Sequence, residues 1–314
     1  MSTGPVTVPT SRARVYPLPL REGLRQLRQS YDWQKGVRSA STHYLDRELP
    51  ITLLTITGTG DFPGIVPMLT GFLSRVGRPQ SILVVDDGTL GPGERDCIRS
   101  ISPLVEFYTP PIDLESVGGP EMAYYASIRP MGRKLAALVD LTSNGERPVL
   151  YADTDVWFSA ASEPLVELLT SPIDTPWYMH DHSSTSLDSR VLPEPLPHVN
   201  SGFLILPKHL DWSDALAQSL DLVADPEWFT EQTVVHRAIH QHGARAFPPD
   251  KFILRWDDQH SPGDIANVAG VAVRHYVTPV RHKYWVMVHG GYARSARAIT
   301  MHMLRRSDRV DGPS

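Results

Sequence analysis

Apolar residues fall into two kinds of run along this chain. One kind is short, nearly continuous and rich in β-branched residues. It covers ITLLTITGTG (51–60), SILVVDDG (81–88), VEFYT (105–109), RPVLYADTDVWF (147–158), SGFLILP (201–207) and VAVRHYV (271–277). Runs of this length predict strands buried on both faces. WYMHDH (177–182) reads as a strand entering a loop. The other kind repeats apolar residues at helical spacing: FPGIVPMLTGFLSRVG (62–77), ERDCIRSI, GRKLAALVDL (132–141), DWSDALAQSLDLVAD and FTEQTVVHRAIHQHG. These predict helices. Strand and helix alternate through the first half, which predicts an α/β fold on a mostly parallel sheet. Ligands of such sheets bind beyond the carboxyl ends of the strands. Three strand ends, TGTGD, DDG and DTD, open onto that crevice.

The flanks differ. Residues 1–19 are rich in Pro, Ser, Thr and Arg and read as irregular. Leu20, Leu24, Leu27 and Tyr31 then form a helical stripe with Arg21, Arg25 and Arg28 away from it, an amphipathic helix expected to lie on the main domain. SSTSLDSRVLPEPLP (183–197) is a long polar loop, and YARSARAITMHMLRRSDRV predicts a basic C-terminal helix. The expected organisation is an N-terminal extension (1–48), a main α/β domain (49–290) with a regular first half (49–158) and a less regular second half (159–290), and a C-terminal helix and tail (291–314).

Composition narrows the function. A chain of 314 residues with 41% hydrophobic content can bury a full core. A net charge of −5 gives no basic excess for nucleic-acid binding. The single cysteine, Cys97, excludes an internal disulfide. No apolar run approaches the roughly 20 residues a spanning helix needs, and the N-terminus lacks a signal-like core. A soluble cytoplasmic protein is expected, with a homodimer left open.

The acid pair in VLYADTDVWF carries the chemistry. Asp153 and Asp155 share one face of a strand end. Neighbouring carboxylates repel unless a cation compensates them, and Mg²⁺ or Mn²⁺ is the natural partner, often shared with substrate phosphates. A solvated acidic loop would look the same in isolation.

The order TGTG, VVDDG, LYADTDVWF resembles the nucleotide-sugar-binding half of GT-A fold glycosyltransferases. HVNSGFLILP (198–207) is similar to the Asn-x-Gly segment of retaining, family-8-like members, FTEQTVVHRAI (229–239) to their Asp-Gln segment with Glu231 replacing Asp, and RHYVTPVRHKYW (274–285) to their late His segment. The resemblance spans about residues 50 to 290. It implies a Rossmann-like, mostly parallel sheet with helices on both faces, a nucleotide-sugar donor (a UDP-sugar foremost), and an acceptor that is a saccharide, small molecule or protein.

It also implies roles. Asp153, Asp155 and His275 would hold the metal, with His282 or His289 as alternatives to His275. Thr57 and Gly58 would line the base pocket. Asp86 and Asp87 would contact uracil or ribose. Arg129, Lys134, Thr154, His282 and Lys283 would face the phosphates or donor sugar. Asn200 and Gly202 would lie under the sugar, and Glu231 and Gln232 near the anomeric carbon or acceptor. His180 and Asp181 are further acceptor-side candidates, while Trp285 reads as core. Each has an ordinary structural reading as a turn, cap, surface charge or helix start.

The departures are a missing glycine after His275 and a late segment two residues longer than usual. Three other classes compete. A haloacid-dehalogenase-like phosphatase normally opens with its Asp-x-Asp and has Thr or Val where Trp157 stands. A sugar-phosphate nucleotidyltransferase would carry a basic residue in the loop TGTGDFPG. A non-catalytic nucleotide-sugar-binding protein is separated only by activity.

Overall fold

The computed structural model describes residues 27–29, 31–41, 43–111, 119–181, 186–191, 196–254, 270–277 and 281–290. The irregular segment 1–19, the start of the amphipathic helix, parts of the 183–197 loop and the basic tail lie outside them. In chain order the elements are α1 (Trp33–Ser41), β1 (Glu48–Thr57), α2 (Phe62–Arg75), β2 (Arg78–Asp86), α3 (Pro92–Ile101), β3 (Val105–Tyr108), α4 (Gly119–Ile128), α5 (Pro130–Ser143), β4 (Val149–Ala152) and β5 (Val156–Phe158). They continue with α6 (Glu163–Thr170), β6 (Trp177–His180), β7 (Val199–Leu206), α7 (Ser213–Ala217), α8 (Leu220–Ala224), α9 (Thr230–Gln241), β8 (Arg245–Ala246), β9 (Phe252–Ile253), β10 (Val273–His275) and α10 (Arg281–Val288).

Seven strands form one sheet in the order β3-β2-β1-β4-β7-β6-β8. β3, β2, β1 and β4 run parallel, and β7 alone is antiparallel to its neighbours β4 and β6. The mostly parallel α/β class is as the alternation predicts. Burial explains why the strand sequences do not alternate. Every residue of β4 and β7 is buried, so both faces must be apolar. Leu54, Tyr151 and Leu204 share one core with α5 and α9. Leu53, Leu150 and Ile205 point the other way and are equally buried. There Phe72 of α2 packs edge-on against Phe158, and Phe158 against Phe203, with ring centroids 5.2 and 6.1 Å apart.

The chain steps outward from β1 to β2 and β3, then returns to β4 on the other side of β1. The sheet order therefore reverses between β1 and β4, and their carboxyl ends flank a topological switch point. A second sheet, β5-β10-β9, stands beyond that point. Pro130 starts α5, where its missing N–H has no helical partner to lose. Gly132, one turn in, lies so close to the backbone of Tyr125 and Ala126 that a Cβ could not fit. This close approach lets α4 and α5 pack together.

By compactness, Asp32–Tyr284 form one unit, and the residues up to Tyr31 with those from Trp285 onward form another. In the smaller unit, the Tyr31 ring packs on Trp285 at 5.9 Å, and His289 Nε2 meets the Leu27 carbonyl at 2.8 Å. Among the described residues, no helix is long and apolar enough to cross a membrane.

Candidate metal centre

The run predicted as one strand over 147–158 is two strands with a turn between them. β4 ends at Ala152, and the Asp153 amide still bonds the Gly202 carbonyl at 2.8 Å. The chain then turns, closed by Val156 N–H on the Asp153 carbonyl at 3.1 Å. β5 leaves for the second sheet, where Val156 pairs with His275 of β10. The Tyr276 amide donates to the Asp155 carbonyl at 3.1 Å. Two sheets thus meet at the acid turn, and their register brings His275 beside it.

One ligand atom each from Asp153, Asp155 and His275 lies within 4.8 Å of the others. His275 Nε2 is 3.1 Å from Asp155 Oδ1 and 3.5 Å from Asp153 Oδ2. Asp155 and His275 are buried, whereas the Asp153 side chain keeps 30% exposure and opens the cluster to one side. Tyr151 donates its hydroxyl to Asp153 Oδ1 at 2.5 Å. Arg281, at the start of α10, donates Nε to Asp155 Oδ2 at 2.6 Å and lies 3.7 Å from Asp61.

The charges follow the geometry. Burial disfavours the His275 imidazolium, but Asp155 foremost, with Asp153, raises its pKa to about 9. Burial also works against the Asp153 carboxylate. Lys134 and His275 outweigh it and hold Asp153 well below the ordinary carboxylate range. The donor set of two carboxylates and one imidazole suits Mn²⁺ or Mg²⁺, with the nitrogen favouring Mn²⁺. One feature fits a cation directly. Asp155 Oδ1 is buried and faces His275 Nε2, the atom a cation would share with it.

A polar layer lies beneath. Lys134 Nζ, buried inside α5, donates to the Ser201 carbonyl at 2.8 Å and to its Oγ at 3.0 Å, and pairs with Glu231 Oε1 at 3.2 Å. It also sits 4.3 Å from the Tyr151 ring centroid. Ser201 Oγ donates to Glu231 Oε2 at 2.9 Å, and the Ser201 amide to Gln232 Oε1 at 3.1 Å. Burial raises the Glu231 pKa despite Lys134. Asn200 lies beside His275, and Gly202 packs under it. A Cβ on Gly202 would overlap His275 Cε1 and Asp153 Oδ2.

The structure thus gathers Asp153, Asp155, His275, Asn200, Gly202, Lys134, Glu231 and Gln232 around one point. Thr154, in the turn, is buried and faces Gly64. Thr57 and Gly58 end β1 nearby. The Thr57 carbonyl accepts the Asp87 amide at 2.9 Å, and the Gly58 carbonyl accepts Phe62 N–H at 2.7 Å. Asp86 pairs with Arg95, and Asp87 Oδ1 accepts Thr89 N–H at 2.9 Å. Arg129 is the exposed N-cap of α5. Asp181 is buried beside Asn200, and His180 ends β6. Lys283 is buried on α10, where Trp285 is buried as expected of core. The His282 side chain lies outside the described residues.

Sequence reading passed over three groups at the site. Arg281 stands six residues after His275, yet no pattern linked it to Asp155. Arg133 bonds the Asp86 carbonyl at 2.9 Å, beside the Lys134 that was singled out. Tyr151 was read as a strand residue only.

No family model and no curated relative matches the chain. Its fold is similar to solved glycosyltransferases. One is the bifunctional glycosyltransferase WbbM, at 10% identity and TM-score 0.49, covering 82% of this chain and 52% of that one. The chain thus spans about half of WbbM. Another is the galactosyltransferase LgtC, solved with donor and acceptor sugar analogues, at 12% identity and TM-score 0.47, covering 80% and 95%. A third is mouse xyloside xylosyltransferase 1, at 12% identity and TM-score 0.44, covering 73% and 97%. These are enzymes of the class the sequence resembles. At such identities and scores the likeness carries no function, which rests instead on the side chains.

Proposed function

We propose that the chain is a metal-dependent glycosyltransferase that takes its sugar from a nucleotide-diphosphate donor, a UDP-sugar foremost. The observation that carries this reading is the convergence of Asp153, Asp155 and His275 at the switch point of a mostly parallel sheet. A divalent ion there supplies positive charge for the leaving diphosphate. Asp153, Asp155 and His275 are its protein ligands. Thr57, Gly58 and the Asp86–Asp87 loop, at adjoining strand ends, are the wall for base and ribose.

Arg281 and Lys134 divide the cationic work. Arg281 is half exposed at the cluster, so its guanidinium can reach donor phosphate oxygens. Lys134 is enclosed by Ser201 and Glu231, so it acts by holding Asp153 ionised from beneath. An inverting reaction would need a free carboxylate as base. Glu231 is held by Lys134 and Ser201, and Asp181 by Asn200, which supports retention of anomeric configuration.

Calorimetric titration of UDP with and without Mn²⁺ tests the reading. Mn²⁺ should strengthen UDP binding at least tenfold. Equal affinity in both titrations would remove the metal from the site. Mn²⁺-coupled binding without hydrolysis of any nucleotide sugar would reduce the protein to a binding module.

A further inference from the structure

The side-chain amide of Asn200 meets three groups, and their chemistry allows one arrangement. The Gly202 backbone N–H lies 3.0 Å from Asn200 Oδ1. A backbone N–H can only donate, so this atom is the acceptor oxygen. His275 Nδ1 lies 3.0 Å from the same oxygen, so Nδ1 must carry a hydrogen. On the other side, Asn200 Nδ2 faces Asp181 Oδ2 at 3.3 Å, and a carboxylate accepts. A flipped amide would set donor against donor at Gly202 and acceptor against acceptor at Asp181. Nε2 faces two acceptors, Asp155 Oδ1 and Asp153 Oδ2, so in the metal-free fold it carries a hydrogen as well; a cation would take the place of that hydrogen while the Nδ1–H stays on Asn200. Asn200, Asp181 and His275 are all buried.

We propose, on the metal-centre reading above, that Asn200 is a positioning residue. Clamped between the Gly202 amide and the Asp181 carboxylate, it holds His275 in the Nδ1–H form and aims Nε2 at the aspartate pair. Both lone pairs of Asn200 Oδ1 are engaged within the protein. One Nδ2–H is left for any contact with a sugar, which limits the role the family resemblance gives this residue. The absent side chain of Gly202 completes the arrangement, because a Cβ there would overlap His275 Cε1 and Nδ1.

Two readouts on the full chain test this. The first is the imidazole ¹H–¹⁵N spectrum of the metal-free protein, His275 being assigned by signal loss in His275→Gln. Wild type should show an Nδ1–H held on Asn200 and protected from exchange with water. Asn200→Ala should remove that protection. The exchange variant Asn200→Asp with Asp181→Asn keeps the acceptor on Gly202 and His275, reverses the 200–181 bond by placing its donor at position 181, and preserves net charge. It should restore the protected Nδ1–H. The second readout is Mn²⁺ titration. Asn200→Ala should weaken binding about 10- to 100-fold, the usual range for a lost ligand-orienting partner, and the exchange should recover most of it. An Nδ1–H that exchanges freely in wild type, or an exchange that restores neither readout, would overturn the proposal. Absence of Mn²⁺ binding in wild type, with the protected Nδ1–H and its rescue intact, would sink the metal reading and leave the positioning role standing.

Discussion

Asp86 and Asp87 close β2, and Asp153 and Asp155 follow β4, with β1 between them in the same sheet. Asp86 receives the Gly88 amide at 2.7 Å and the guanidinium of Arg95, nine residues on. Asp87 Oδ1 receives the Thr89 hydroxyl at 2.6 Å. That first pair is answered by its own loop and the helix after it. The second pair is answered from across the fold. Arg281 stands 126 positions from Asp155, and His275 arrives on a strand of another sheet. Acids met by local donors shape a loop. Acids met by cations that only the tertiary structure delivers, gathered within 4.8 Å of an imidazole, suit the cation site proposed for them.

The largest effect that sharpens this contrast lies beneath the second pair. Lys134→Met removes the partner of a buried carboxylate and should cost about 3–5 kcal/mol in urea unfolding. Adding Glu231→Gln should return much of that loss. Unchanged stability in the single variant would mean that Lys134 serves a ligand rather than the interior. The acids themselves come next. Asp155→Ala should abolish the Mn²⁺ enhancement of UDP affinity, by about a hundredfold, a loss near 2.7 kcal/mol. Asp86→Ala should leave that enhancement intact in the same calorimetric titration. Equal losses at both would erase the distinction.

A smaller effect follows pH. In the metal-free fold the His275 pKa stands at about 9, raised from 6.5. Its pairing therefore stabilises fully below pH 6.5, and that contribution is lost as pH rises through about 9. The melting temperature of chelator-treated protein should fall by several degrees across that window, and His275→Gln should flatten the slope. The smallest change is expected in the local pair. Asp86→Ala should lower stability by about 1–2 kcal/mol in thermal melts, through the loss of its loop hydrogen bonds.

Much of this was legible in the chain, and what escaped did so for physical reasons. β1, β2 and β7 are long, two-sided strands whose continuous apolar runs announce them. β8 and β9 have two residues each and carry no period. The 147–158 run hid a turn because apolar residues resume straight after Asp155, with Val156 and Phe158 buried in a second sheet, so the acids read as a strand end and not as a change of direction. DWSDALAQSLDLVAD is two five-residue helices, α7 and α8, where one was expected. The residues of the cluster were nameable from their order along the chain. Their partners were not, because Arg281 on Asp155 and Asn200 on His275 are distances in space with no spacing in sequence.

The contact between Arg281 and Asp155 changes how a metal would enter. With His275 protonated, the cluster already balances two carboxylates against two cations. Mn²⁺ would therefore enter by ion exchange. It would take the place of a proton on His275 and of the guanidinium on Asp155 Oδ2, which would leave Arg281 available to an anion. Exchanging a 2+ ion for a single proton would leave one positive charge in excess, carried by Arg281, and a donor anion would balance it.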